Sequence, residues 1–286
     1  MVIRGNDEAS LPPSPSTAIM TPSSPASTPS LADTTERADN RRRPADGVDC
    51  WNEYSTKHTT LAQDIDCGML RNGHCLWGFV IYRTTYTSDL DWSKCLHRLR
   101  HQHAETLAFD HAADLLDSNP LTVFDDANRF ENATAAEIRQ QFNEWCNTAP
   151  MFEQGTLPHR SGVGAIRRDR YGSPRYRLCI SIDEGAMRSI INDDSDSWLD
   201  SKGYVNLIRG AWRPQPEEEL QEEARLYGRS SPKMWEAVEG VTQEDVGWCR
   251  ISYAEVVMWY HLFGRMHEGD LWGRSFRRWP EVVRCW

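Results

Sequence analysis

The sequence predicts an α+β protein: a two-layer sandwich with a roughly four-stranded sheet, ferredoxin-like in outline, and a C-terminal helical segment packed on it. Three observations lead there. Short segments dense in β-branched and aromatic residues alternate with amphipathic stretches of helical period. Several helix starts carry capping signals: Ser88 with Asp91, Thr134 with Glu137 and Ser252 with Glu255. The C-terminal third also changes character, because eight of the twelve tryptophans lie beyond residue 195.

Residues 1–48 are rich in Ser, Pro, Thr and Ala, as in Pro12-Pro13-Ser14-Pro15, and hold too little apolar surface to offset chain entropy. A disordered tail is expected there, followed by one domain over residues 49–286. Arg41-Arg42-Arg43 fits a minimal nuclear-import element, although a solvated charge run is the simpler reading. Trp51-Asn52-Glu53-Tyr54 and Leu61 to Asp66 read as an ordered approach without an assignable type. Cys67, His74 and Cys75 are neighbours in sequence, but no fourth ligand has zinc-finger spacing, so packing explains them better.

Trp77 to Tyr86 is the best strand candidate, crowded with aromatic and β-branched residues and free of proline. Its run of adjacent apolar residues points to burial on both faces. Arg83 interrupts it, and calls either for an acidic partner at a strand end or for a place at the sheet edge. A helix follows from Ser88, with Trp92, Cys95, Leu96, Leu99, His103 and Leu107 on one face. His97 and His101 project from another side, where solvent explains them better than zinc does.

Leu121 to Phe124 outlines a second strand that ends in Asp125-Asp126. A second helix carries Ile138, Phe142, Trp145 and Cys146. Residues 147–175 read as a long loop with a concentration of arginines; Tyr176 to Ile182 is a third strand, and Asp183 is placed to cap a short helix. Tyr204 to Ile208 supplies a fourth strand, and Glu217 to Glu223 a charged, solvent-facing connector. A helix through Phe263, ended by Gly264, is apolar on nearly all sides and therefore buried. The late tryptophans fit a core and clamp better than an exposed stacking surface.

The formal charge is −10, and residues 50–286 still hold 27 basic against 35 acidic side chains. That balance disfavours broad nucleic-acid binding, which relies on neutralising phosphates. No apolar run reaches the ~18 residues of a membrane span, and no secretory signal is present. The expectation is a soluble protein without membrane contact, cytoplasmic or nuclear, with eight scattered and mostly reduced cysteines.

Two constellations could carry function. Arg160, Arg167, Arg168, Arg170 and Arg175, joined by Arg83, form a basic set in an otherwise acidic protein and suit an acidic partner, phosphate or RNA. Ser161-Gly162-Val163-Gly164 adds a small glycine-rich turn without the strand that a phosphate cradle requires. The strand ends Asp125-Asp126 and Asp183-Glu184 form the second set and offer carboxylates for Mg²⁺, provided their strands are neighbours and point the same way.

The order of Trp77-Gly78-Phe79-Val80-Ile81-Tyr82-Arg83-Thr84-Thr85-Tyr86, the Phe142 to Trp145 helix, Arg175-Tyr176-Arg177 before a strand ending at Asp183, and the tryptophan-rich end resembles a family of uncharacterised filamentous-fungal proteins. The resemblance spans roughly residues 77–280 and implies no established activity, so it carries over no catalytic residue. The expectation is therefore a non-enzymatic interaction domain with a protein partner and no cofactor. Mg²⁺-dependent phosphoryl transfer or hydrolysis is the alternative, and RNA or phosphate binding a further one.

Overall fold

The structure, a computed structural model, describes residues 60–154, 172–195, 197, 199–226 and 233–285. The expected tail, the Trp51 to Tyr54 segment, the Gly162/Gly164 turn and Arg160, Arg167, Arg168 and Arg170 lie outside the described residues.

Six strands form one mixed sheet: Val80–Arg83 (β1), Val123–Phe124 (β2), Leu178–Ile182 (β3), Tyr204–Arg209 (β4), Trp248–Ser252 (β5) and Val282–Val283 (β6), in the order β2-β1-β3-β4-β5-β6. β2, β1 and β3 run parallel, β4 and β5 are antiparallel to their predecessors, and β6 is parallel to β5. The four strands read from sequence are all present. The four-stranded, ferredoxin-like outline is corrected, since three parallel strands lie side by side and two more extend the sheet. β5 was hidden because Ser252, read as a helix cap, is its last residue; its side chain makes no capping hydrogen bond.

Along the chain the helices are Leu61–Asn72 (α1), Asp89–Phe109 (α2), Ala127–Phe130 (α3), Ala135–Cys146 (α4), Ala149–Glu153 (α5), Glu184–Ile191 (α6), Glu217–Leu226 (α7), Val256–Arg265 (α8) and Glu268–Ser275 (α9). α1 begins at a reciprocal Thr60–Gln63 capping box and stops at Gly73, whose left-handed φ of 68° suits a residue without Cβ. Thr134 and Glu137 form the expected box at α4.

Strand side chains alternate between two apolar clusters. Ile81, Ile180, Leu207 and Ile251 meet Trp92 and Leu99 of α2, Met187 of α6 and Val257 of α8 on one face. On the other face Val80, Tyr82, Cys179 and Ile208 meet Ile138, Phe142 and Cys146 of α4. Helices therefore cover both faces, where a two-layer sandwich leaves one bare. Trp248, Trp259 and Trp272 are buried, as a core role requires, and Trp279 is exposed. Six free cysteines are present among the described residues, but Cys67 is disulfide-bonded, which corrects the expectation of reduced thiols at that position. Sequence spacing says nothing about which thiols meet in space.

Arg175 closes the amino end of the parallel strands. Its side chain is fully buried and bidentate to Glu153, at 2.8 Å from Nε and 2.7 Å from Nη2. It also donates to the Gly78 carbonyl (2.9 Å) and to Thr122 Oγ1 (2.7 Å), so the entries to β1 and β2 hang on one guanidinium. Gln154 continues the network by accepting from the Cys75 and Leu76 amides and donating to Tyr176 Oη. Expected as part of a ligand-gripping loop, Arg175 is instead a saturated core residue, because its partners lie within the fold.

His103 of α2 is buried with the apolar stripe, its Nδ1 3.4 Å from Asn119 Nδ2 and its Nε2 without a partner among the described residues. Burial, helped by the Arg100 charge, lowers its pKa from 6.5 to about 4. Protons then bind the unfolded chain more than the native one between those values, so this stability is complete above pH 6.5 and drains away as the pH falls towards 4.

Arg175→Met should cost about 3–5 kcal/mol in urea unfolding, because it strands Glu153 in the interior, and Arg175→Lys should not restore the loss. His103→Gln should remove about 2–3 kcal/mol of the stability difference between pH 7 and pH 4.5. An unchanged pH slope in the variant would show that another group is responsible.

Candidate functional site

The carboxyl ends of β1, β2 and β3 lie together at one edge of the sheet. From β1 the chain passes into α2 on one face, and from β2 into α3 and α4 on the other. The gap between these two strand ends is therefore a topological switch point, where open α/β sheets commonly hold ligands. Here the protein's own side chains occupy it. Arg83, 4% exposed, pairs with Asp89 and, at 3.2 Å, with Asp125; its Nε donates to the Thr85 carbonyl. The guanidinium lies 4.4 Å from the Tyr86 ring centroid and 5.0 Å from that of Trp92. The acidic partner expected for Arg83 is thus a strand-end aspartate.

The remaining strand-end carboxylates are also engaged. Asp126 caps α3 through the Asn128 amide. Asp183 Oδ1 caps α6 at 2.7 Å from the Ala186 amide, and its Oδ2 accepts from Asn206 Nδ2 at 2.9 Å. Glu184 accepts from the Thr85 and Thr87 hydroxyls and from Arg188 Nε, and the two hydroxyl bonds come first among the causes that lower its pKa.

β2 and β3 point the same way, as a metal site would need, but β1 lies between them and Arg83 reaches Asp125. A guanidinium where a cation would sit, and aspartates spent on helix caps, do not fit Mg²⁺. Among the described residues no group of three or more metal-ligating side chains is suited to an ion.

A different set emerges on the face away from α2. One cross-sheet row joins Ser181, Asn206 and Arg250, through the register pairs Ser181↔Asn206 and Asn206↔Arg250. Arg250 Cζ lies 4.0 Å from the Tyr204 ring centroid and 5.6 Å from that of exposed Trp279. Its buried Nε finds no hydrogen-bond partner among the described residues, and neither does Oδ1 of Asn206, which is 5% exposed. Leaving such a group unsatisfied costs about 1–3 kcal/mol. A donor and an acceptor thus stand unmet on directly paired strand positions. Burial raises the Tyr204 phenol above its usual range, opposed by the Arg250 charge.

Sequence reading brought Arg83, Asp125, Asp126, Asp183 and Glu184 to this end of the molecule and missed Tyr204, Asn206, Arg250 and Trp279. The available signal was Arg250 itself, a charge inside the apolar run Trp248 to Ser252, as Arg83 is inside its own. No protein-family model matches the chain, and no match is found among curated proteins or solved structures.

Two measurements check these assignments. Asp183→Ala should destabilise the protein by about 1–2 kcal/mol in urea unfolding, through the lost cap and the stranded Asn206 amide. Calorimetric titration of the native protein with Mg²⁺ should give no saturable heat; saturable binding abolished by Asp126→Asn with Asp183→Asn would restore the metal reading.

Proposed function

We propose that the protein is a non-enzymatic, intracellular binding domain that docks a protein partner on the surface at the carboxyl ends of its parallel strands. One observation carries this: the Arg250 guanidinium lies against the Tyr204 ring and that of exposed Trp279. The two rings restrain the guanidinium plane, which pre-organises it for recognition. Trp279, 47% exposed, supplies the aromatic anchor that interfaces favour.

Other features agree with this reading. The strand-end carboxylates are tied to caps and ion pairs, which leaves none poised for proton transfer. No helix among the described residues is long and apolar enough to cross a membrane. The six free thiols suit a reducing compartment, with disulfide-bonded Cys67 as the exception. Arg175 contributes nothing to phosphate or RNA binding, since its donors are consumed in the core.

Affinity capture from the native cell, with the full chain as bait, tests the proposal. Arg250→Gln and Trp279→Ala should each reduce recovery of a partner at least tenfold without changing the melting temperature by more than a few degrees, while Arg274→Gln, at an exposed position of α9, should not. A partner indifferent to both site variants, or none at all, would show that this surface is not the docking site.

A further inference from the structure

Arg250 carries a charge that the fold leaves uncancelled. Arg83, Arg175, Arg177, Arg188, Arg209 and Arg265 each meet a carboxylate, whereas among the described residues none pairs with Arg250. Its half-buried guanidinium lies against the Tyr204 and Trp279 rings instead. We propose that this surface recognises an acidic peptide segment, with an Asp or Glu carboxylate meeting Arg250 and an adjacent apolar side chain meeting Trp279. The inference rests on the docking surface described above and names the chemistry of its partner.

The neighbouring chain has the matching sign. Residues 277–284 carry Trp279 and β6, which sets Val282 beside Arg250, and hold Arg277, Arg278 and Arg284 against one acid, Glu281. The three arginines donate to backbone carbonyls, of Phe276, Glu244 and Leu199 respectively, and none forms an ion pair among the described residues. A carbonyl satisfies a donor without cancelling its charge, and Glu236 and Glu244 act on Arg278 only from beyond ion-pair distance. This border of the sheet is therefore basic, in a domain that holds 27 basic against 35 acidic side chains over residues 50–286.

The local sign selects an anion, and the overall sign selects which one. A guanidinium restrained by ring faces is pre-organised to meet a carboxylate through two hydrogen bonds, and complementary charge around it steers encounter. RNA would bring a run of phosphates against the net acidity of the domain. A phosphorylated side chain would bring roughly two charges near Asp183, whose carboxylate already acts on Tyr204 beside the guanidinium. One carboxylate meets less of that repulsion. Trp279, 47% exposed, adds apolar area that a phosphate leaves unused and an apolar side chain covers.

Heptapeptide arrays probed with the full chain test the proposal. Each peptide has a central Glu flanked by Leu, Val, Phe or Trp; matched arrays carry Gln or phosphoserine at the centre. Retention on the Glu array should exceed that on either matched array at least tenfold, and should fall as salt rises from about 50 to 500 mM. Arg250→Gln and Trp279→Ala should each reduce it at least tenfold, and Arg277→Gln, at an exposed position, should weaken it about two- to fivefold. The proposal is overturned if Gln or phosphoserine peptides bind as well, if nothing binds, or if binding survives Arg250→Gln and Trp279→Ala. Should partner capture depend on Arg250 and Trp279 while the arrays show no preference for Glu, the docking surface stands and the acidic class of its partner falls.

Discussion

One buried guanidinium sets the frame. Arg175 has no exposed surface, and its donors go to Glu153, the Gly78 carbonyl and Thr122, groups that enter from α5 and from the approaches to β1 and β2. A charge in that position is tolerated only when fully paired, because water is absent to replace a missing acceptor. The pairing works in both directions. Glu153 is held by its arginine, and neighbouring Gln154 fixes the backbone at Cys75 and Leu76, so the amino ends of the parallel strands are located by polar contacts as well as by apolar packing.

The two ends of the sheet then differ in how their polar groups are satisfied. Arg83 and Arg250 look alike in sequence, each a single charge within an apolar strand, and each lies against two aromatic rings. Arg83 is saturated by two aspartates and closes the switch-point gap from within. Arg250 is held by ring faces, with its Nε unmatched. The two arginines thus differ in their partners, and the difference lies in which side chains the register sets opposite each.

That distinction marks the limit of what the chain reveals unaided. β1, β2, β3 and β4 were legible because each is a compact apolar run, and α4 because its capping box and apolar stripe agree. β5 was not, since the Ser252 to Glu255 spacing imitates a helix start and Arg250 breaks the strand pattern. β6 is two residues long, below what any periodicity can show. Arg175 was misjudged because the composition around it suggested an exposed basic loop, while its acid lies 22 residues upstream on another element. At the candidate site, Arg83 and Asp125 were visible as types, but the Ser181, Asn206 and Arg250 row exists only through pairing between strands far apart in sequence.

The short outermost strands have a consequence for association. β2 and β6, at the two borders of the sheet, are each two residues long, so neither offers a long row of free backbone N–H and C=O groups to an incoming strand. Such blunt borders oppose edge-to-edge stacking of copies and the fibrillar aggregation that follows from it. They also make it hard for a partner to enter by adding a strand to the sheet. Any association then falls to side chains in place of a generic backbone template.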